Sequence, residues 1–203
     1  MQVMQASLHG KNKTQTDNMG NRAKVMDRWY GREKGFGWRE PKKPREPFRG
    51  KPQFTFEDLY ITPFTHERTT DQYGNVVYYP LTERNMTPSG VAVMDDYLQH
   101  LFAGKADIAD FCARYNARTA DLDSLVFLLT GMPNLEFRTR WQLTTADALL
   151  RYTKMAVADI AVRSGMGTRN NMYFIYEREF DQSPTERRDA IRQDGDLGRF
   201  AIR

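Results

Sequence analysis

Residues 156–184 read AVADIAVRSGMGTRNNMYFIYEREFDQSP, and the fold of the chain turns on them. Val157, Ile160 and Ala161 recur at helical spacing. Gly165 supplies the backbone freedom that a short turn between helices needs. Thr168 is placed to cap the next helix, whose first two turns then carry Arg169, Asn170, Asn171 and Tyr173. Met172, Tyr176 and Phe180 keep the apolar face of that helix, and the small Ala161 lets two helices cross closely. A helix pair with this glycine, this small residue and a polar first turn reads as a helix-turn-helix. Ser183, Pro184 and Glu186 then announce a closing helix through a capping box.

The stretch resembles the second helix-turn-helix of AraC/XylS-type bacterial transcription regulators. That family's pattern runs roughly I-x-E-I-A, a few residues, G-F-x-S, then F-x-x-x-F-K/R-x-x-F-G-x-S-P. Here the matching residues are Val157, Asp159, Ile160, Ala161, Gly165, Met166, Thr168, Met172, Tyr176, Glu177, Phe180, Asp181, Ser183 and Pro184, without a gap. Met166, Met172 and Tyr176 replace phenylalanines, Glu177 stands for a common basic residue and Asp181 for a glycine. Ala146, Leu149 and Leu150 match the A-x-x-L-L of a linker helix, and Gln142 stands where the family often carries arginine. Further back, Ile108, Phe111 and Cys112, then Leu122, Val126, Gly131 and Phe137, fit the anchors of a first helix-turn-helix more loosely. The match covers roughly residues 90–192, about half the chain. It implies a mainly α fold: two helix-turn-helix subdomains joined by a linker helix. It implies, as function, sequence-specific binding of duplex DNA by a transcription regulator.

Residue chemistry assigns roles within that frame. Arg169 suits guanine O6/N7, and Asn170 or Asn171 suits adenine N6/N7. Tyr173 shares their face, Phe174 is phased outward toward a thymine methyl, and Arg163 and Arg178 suit phosphates. The first motif is poorer. Arg118 and Thr119 open its second helix, but Asp121 and Asp123 would then face phosphates or the groove floor. Residues 87–192 hold 13 Lys/Arg against 14 Asp/Glu, a net of −1, whereas duplex affinity comes largely from phosphate neutralisation.

The charge lies elsewhere. The 203 residues have a formal net charge of +4. Residues 1–53 carry 13 Lys/Arg and 5 Asp/Glu, a net of +8, and residues 54–203 carry 17 and 21, a net of −4. The segment 1–53 is polar and proline-spaced, most clearly in GWREPKKPREPFRGKP (37–52), and reads as a disordered or partner-ordered tail. Arg39, Lys42, Lys43, Arg45, Arg49 and Lys51 are its candidate contacts to phosphates or to a partner. Trp29, Tyr30, Phe36, Trp38 and Phe48 suit stacking on bases or docking on a protein surface, RNA polymerase or another protein being a candidate. The alternative function follows from these features: the fold reused as a protein- or RNA-interaction module in a larger assembly, with the basic tail making the contacts.

Several classes find no support. The mean hydropathy is −0.70 and no apolar run approaches the ~20 residues of a membrane span. A lone Cys112 and three scattered histidines (His9, His66, His100) give no disulfide, no metal spacing and weakly a cytoplasmic setting. No phosphate loop, nucleophile elbow or His-carboxylate cluster suggests an enzyme, and no cofactor is expected. The family commonly adds a ligand-binding or dimerising domain. Residues before 87 read only as tail and hairpin, so no small-molecule effector is inferred.

The chain therefore divides into a tail (1–53), a β-hairpin segment (54–86), a double helix-turn-helix domain (87–192) and a C-terminal tail (193–203). FTFEDLYITPF and NVVYYPL read as strands about the turn DQYGN. Helices are expected at 87–104 with Thr87 capping and Pro88 first, then near 106–116, 119–130, 134–137, 139–154, 156–164, 168–180 and 184–192. Trp141, Ala146, Leu149 and Leu150 should form the buried stripe of the linker helix.

Overall fold

One long helix, Asn134–Tyr152, carries the architecture, because its apolar stripe serves two separate cores. The computed structural model describes residues 49–81, 84–105 and 107–202. In chain order the elements are α1 (Phe56–Leu59), β1 (Phe64–Thr70), β2 (Val76–Pro80), α2 (Ala92–Phe102), α3 (Ile108–Arg114), α4 (Thr119–Thr130), α5 (Asn134–Tyr152), α6 (Val157–Arg163), α7 (Arg169–Phe180), α8 (Pro184–Ile191) and β3 (Phe200–Ile202). Among the described residues the fold is mainly helical, with one small antiparallel sheet.

Phe137 and Trp141, from the first half of α5, pack with Met94, Tyr97 and Leu98 of α2, Phe111 of α3 and Val126 of α4. Ala146, Leu149 and Leu150, from the second half, pack with Ile160, Met172 and Tyr176. The stripe expected from spacing is thus buried, but it is divided: among the described residues, none that is buried belongs to both cores. Cys112 is a buried free thiol in the first core, which fits its place on an apolar face. The expected break near residue 138 does not occur. Arg138 and Thr139 continue one helix from Asn134 to Tyr152, because neither residue type interrupts an α-helix.

Each unit is closed by polar bonds of its own. In the first, the Tyr97 hydroxyl donates to Asn134 Oδ1 at 2.6 Å. In the second, the Tyr176 hydroxyl donates to Asp147 at 2.9 Å, and the Arg187 guanidinium donates to the same carboxylate at 2.7 Å while lying over the Phe180 ring. Burial, then the Asp147 charge, pushes the Tyr176 phenol far above its ordinary value, so it is a permanent donor.

Three local readings differ from the structure. FTFEDLYITPF is not one strand: Phe56–Leu59 is a helical turn, and β1 starts only at Phe64. The Thr55 hydroxyl accepts from the Asp58 amide while the Asp58 carboxylate accepts from the Thr55 amide, a capping box that outweighs β-propensity over four residues. The turn places Phe56, Leu59 and Ile61 in the first core. Thr87 does not cap α2, which starts at Ala92; the buried Asp95 carboxylate instead accepts from the Ser89 amide and hydroxyl. Finally, the hairpin is not left as two strands. Phe200–Ile202, expected as C-terminal tail, pairs antiparallel with β1, giving the order β2-β1-β3. A two-stranded hairpin alone is marginal. Here Phe64 stacks on Phe200, with Tyr152 edge-on to both, and docks the sheet on the second core.

Candidate nucleic-acid interface

The second helix-turn-helix is α6, the turn Ser164–Thr168, and α7. Ala161 is fully buried at the crossing, and Met166 anchors the turn in the core. Gly165 takes φ +77°, a left-handed conformation that suits glycine. The Thr168 hydroxyl accepts from the Asn171 amide, so α7 starts where its cap predicts. The helix then turns Met172, Ile175 and Tyr176 inward and leaves Arg169, Asn170, Phe174 and Arg178 exposed.

The positions expected to contact bases are not equivalent. Arg169 bends along its helix: its Nη2 donates to the Tyr173 hydroxyl at 3.3 Å, and the guanidinium lies 5.2 Å from that ring's centre. The bond from Arg169, with a second from Thr185, holds the Tyr173 phenol below its ordinary pKa. Asn170 is exposed beside them. Asn171, expected as an alternative adenine reader, turns back: its Nδ2 donates to the Met166 carbonyl at 2.7 Å. From the backbone that carbonyl receives the Thr168 amide at 3.1 Å, only two residues on. A short amide at the third helical position supplies a second, closer donor to a carbonyl that no regular helix or strand satisfies. Phe174 is 43 % exposed, as its phase predicts. Arg178 pairs with Glu179 at 2.7 Å, and Arg163 is exposed at the end of α6.

Most other cations of this unit hold the fold together. Arg151 pairs with the buried Asp196, and Arg187 with Asp147. Arg188 Nη2 donates to the Met155 carbonyl, and Arg192 donates to the carbonyls of Leu150, Arg151 and Thr153. Counting charges along the sequence therefore overstates what this unit offers to phosphates.

The first helix-turn-helix, α3 and α4, has the same frame and a different surface. Asp107 caps α3 through its carboxylate, which accepts from the Ala109 and Asp110 amides. Arg118 is committed to Asp121, with Nη2 donating at 2.8 Å and Nε at 3.1 Å. Asp123 does not face outward as expected: its Oδ1 accepts from the Asn134 amide and so caps α5. An unpaired first-turn amide is a better partner for a carboxylate than solvent beside DNA. What α4 exposes is Thr119, Ala120, Asp121, Ser124 and Leu128, the last 64 % exposed, and the Ser124 hydroxyl is bonded to the Ala120 carbonyl. Nearby in sequence, Leu135 is 66 % exposed at the start of α5.

Of the tail positions, Arg49 and Lys51 are exposed, while Arg39, Lys42, Lys43 and Arg45 lie outside the described residues. The Gln53 and Phe54 amides both donate to the Leu129 carbonyl, which ties the chain to the end of α4. Among the described residues no helix is long and apolar enough to cross a membrane, and no cluster of His, Cys, Asp and Glu could hold a metal ion.

No family model matches the chain. Over 100 residues it is 32 % identical to the HTH-type transcriptional activator RhaS of Klebsiella pneumoniae (strain 342), covering 48 % of this chain and 36 % of that protein. Over 96 residues it is 29 % identical to RhaS of Yersinia pestis (strain Pestoides F), covering 47 % and 35 %. The chain thus spans about a third of the length of the curated relatives it matches. Among solved structures it is similar to the DNA-binding domain of AdpA, a global transcriptional factor in complex with a target DNA (TM-score 0.42, 24 % identity, 49 % of this chain and 88 % of that one). It is also similar to the xylose-binding transcription activator xylR (TM-score 0.41, 16 % identity, 59 % and 32 %). With the residue matches and the two helix-turn-helix units around one linker helix, the helical half of this chain is similar to the double helix-turn-helix domains of the AraC/XylS type.

Proposed function

We propose that the protein is a sequence-specific DNA-binding transcription regulator that reads duplex DNA through α7. One observation carries the reading. Beyond the Thr168 cap, α7 presents Arg169, Asn170, Tyr173 and Phe174 on one side, while its opposite side is buried. This is the arrangement by which a recognition helix enters a major groove by its first turns. Arg169 pairs with guanine, Asn170 with adenine, and Arg163 and Arg178 contact phosphates on either side. Asn171 is less suited to readout than Asn170, because its Nδ2 is held on the Met166 carbonyl. The regulator acts in the cytoplasm, where such DNA is found.

The basic segment 1–53 supplies the general affinity. With the cations of the second unit largely bound to carboxylates and carbonyls, counterion release falls to the +8 tail. Its contacts position the protein without specifying sequence.

Selection of duplexes from a random pool by the full chain tests the main reading. A convergent sequence that Arg169→Ala relaxes at one base pair supports it, and failure to enrich any duplex removes it. Deleting residues 1–53 should weaken all duplexes alike. It should also flatten the plot of log affinity against log salt, by about 0.9 for each phosphate that is no longer neutralised. An unchanged slope would place the tail on a protein partner.

A second reading is carried by α4. On its exposed face the Ser124 hydroxyl is spent on the Ala120 carbonyl, and Leu128 is strongly exposed. This suits a protein contact, such as RNA polymerase or another assembly partner, made by the first unit while the second reads DNA.

A further inference from the structure

The two cores share no buried residue, and α5 passes from one to the other between Trp141 and Ala146. At that passage three segments meet. Gly104, just beyond α2, has φ +70°, and a Cβ there would lie 2.7 Å from the Val162 carbonyl oxygen and 3.1 Å from that of Arg163. Backbone of the first unit thus rests directly on the last carbonyls of α6. Gly165, in the turn between α6 and α7, would bring a Cβ within 3.6 Å of both the Gly104 carbonyl group and Gln142 Nε2. Gln142, midway along α5, donates from Nε2 to the Gly165 carbonyl at 2.7 Å.

A linker helix alone would leave the second unit held to the first by the stiffness of one rod. Besides the Ile61–Phe64 segment, which also passes from one core to the other, the junction adds a point of attachment off the axis of that rod. One side chain of fixed length sets how far the α6–α7 turn stands from α5. One glycine sets how closely the first unit approaches it. We propose that Gln142 and Gly104 are positioning residues that fix the separation of α4 and α7, and through it where the first unit stands when α7 is on DNA. The second clause rests on the DNA-reading function proposed above; the first does not.

Spin labels on Ser124→Cys and Glu177→Cys, at exposed positions of α4 and α7, report that separation in the full chain with Cys112→Ser. The parent gives a single narrow distance distribution. Gln142→Leu keeps a side chain of similar bulk and removes the donor, and it broadens or shifts the distribution with helical content retained. Gly104→Ala does the same if it folds; if it does not, Gln142→Leu decides. An unchanged distribution in Gln142→Leu overturns the proposal. In parallel, the same label pair is measured with the selected duplex bound. The parent keeps its narrow distribution, and Gln142→Leu stays broad or shifted while binding that duplex as before. A duplex that narrows Gln142→Leu to the parent distribution overturns the second clause. A broadened distance with no duplex binding by the parent keeps the positioning role and removes the DNA reading.

Discussion

The two helix-turn-helix units share a frame and differ in what their second helices present. α4 and α7 are each 12 residues long, each buries its inner face in a core shared with α5, and each ends in a residue of left-handed conformation. Yet α7 exposes Arg169, Asn170 and Phe174, whereas α4 exposes Ala120, Ser124 and Leu128 and ties Arg118 to Asp121. Frame and readout are therefore separable. The frame depends on a few buried positions at helical spacing, which both units keep. The readout proposed for α7 depends on its exposed positions, which no core contact constrains.

The largest expected effects test whether the frames are independent. Phe137→Ala should destabilise the first unit by about 3–5 kcal/mol and Leu150→Ala the second by about 2–5 kcal/mol, since both side chains are fully buried. Amide exchange after each substitution should show protection falling first in the unit concerned. Equal loss across both units would mean that the two cores open as one.

Readout comes next. Arg169→Ala and Asn170→Ala should each cost about 1–3 kcal/mol of specific duplex binding with an unchanged thermal midpoint. Thr119→Ala, at the matching place in α4, should leave base preference as it was. A comparable loss from Thr119→Ala would make the first unit a reader too.

The helix ends differ in a smaller way. α4 stops at Gly131 with φ 69°, and α7 at Asp181 with φ 54°. Left-handed backbone strains a residue with a Cβ, although Asp tolerates it better than most. Asp181→Gly should raise stability by up to ~1 kcal/mol, read by chemical denaturation. A fall would show that the Asp181 side chain does more than occupy the turn.

The smallest effect concerns acid. In the first unit the buried His100 ring has Nε2 at 2.9 Å from the Asp107 carbonyl and Nδ1 at 3.4 Å from Arg114 Nη2. That pattern suits the neutral ring, with Nε2–H donating and Nδ1 accepting. Burial, with the nearby Arg114 and Lys105 charges, lowers its pKa below the ordinary 6.5, against an opposing bond to the Asp107 carbonyl and the Asp110 charge. The unfolded chain then binds the proton first as pH falls. Stability from the neutral ring is fully present above about 6.5 and declines below it toward the folded pKa. Denaturation midpoints between about pH 7.5 and 5 should fall more in the parent than in His100→Phe. Equal slopes would remove His100 as the cause.

Much of the second unit was legible in the sequence because its signals are local. Thr168, Ser183 and Pro184 cap where their types predict, and Met172 and Tyr176 are buried at the phase their spacing sets. The Thr55–Asp58 box was equally local, but the β-prone residues around it hid a one-turn helix. The candidate site was legible only as a set of residue types. That Arg169 lies on Tyr173 follows from i, i+4 spacing, whereas the diversion of Asn171 to the Met166 carbonyl depends on how the turn closes.

What the sequence determined alone is the helix-turn-helix frame and its register, since helical periodicity and end-capping act between residues a few positions apart. Tertiary structure decided the rest. Phe200–Ile202 became a strand only because β1 offers an edge and Phe64 a stacking partner. The Thr65 hydroxyl, which donates to the Ala201 carbonyl there, reaches across 136 positions of sequence. Asp123 became a cap for α5 rather than a charge beside a groove. Gln142 became the link between two units because the turn at Gly165 was brought against it. Each of these partners is distant in sequence, and the free energy that pairs them exists only once the cores have formed.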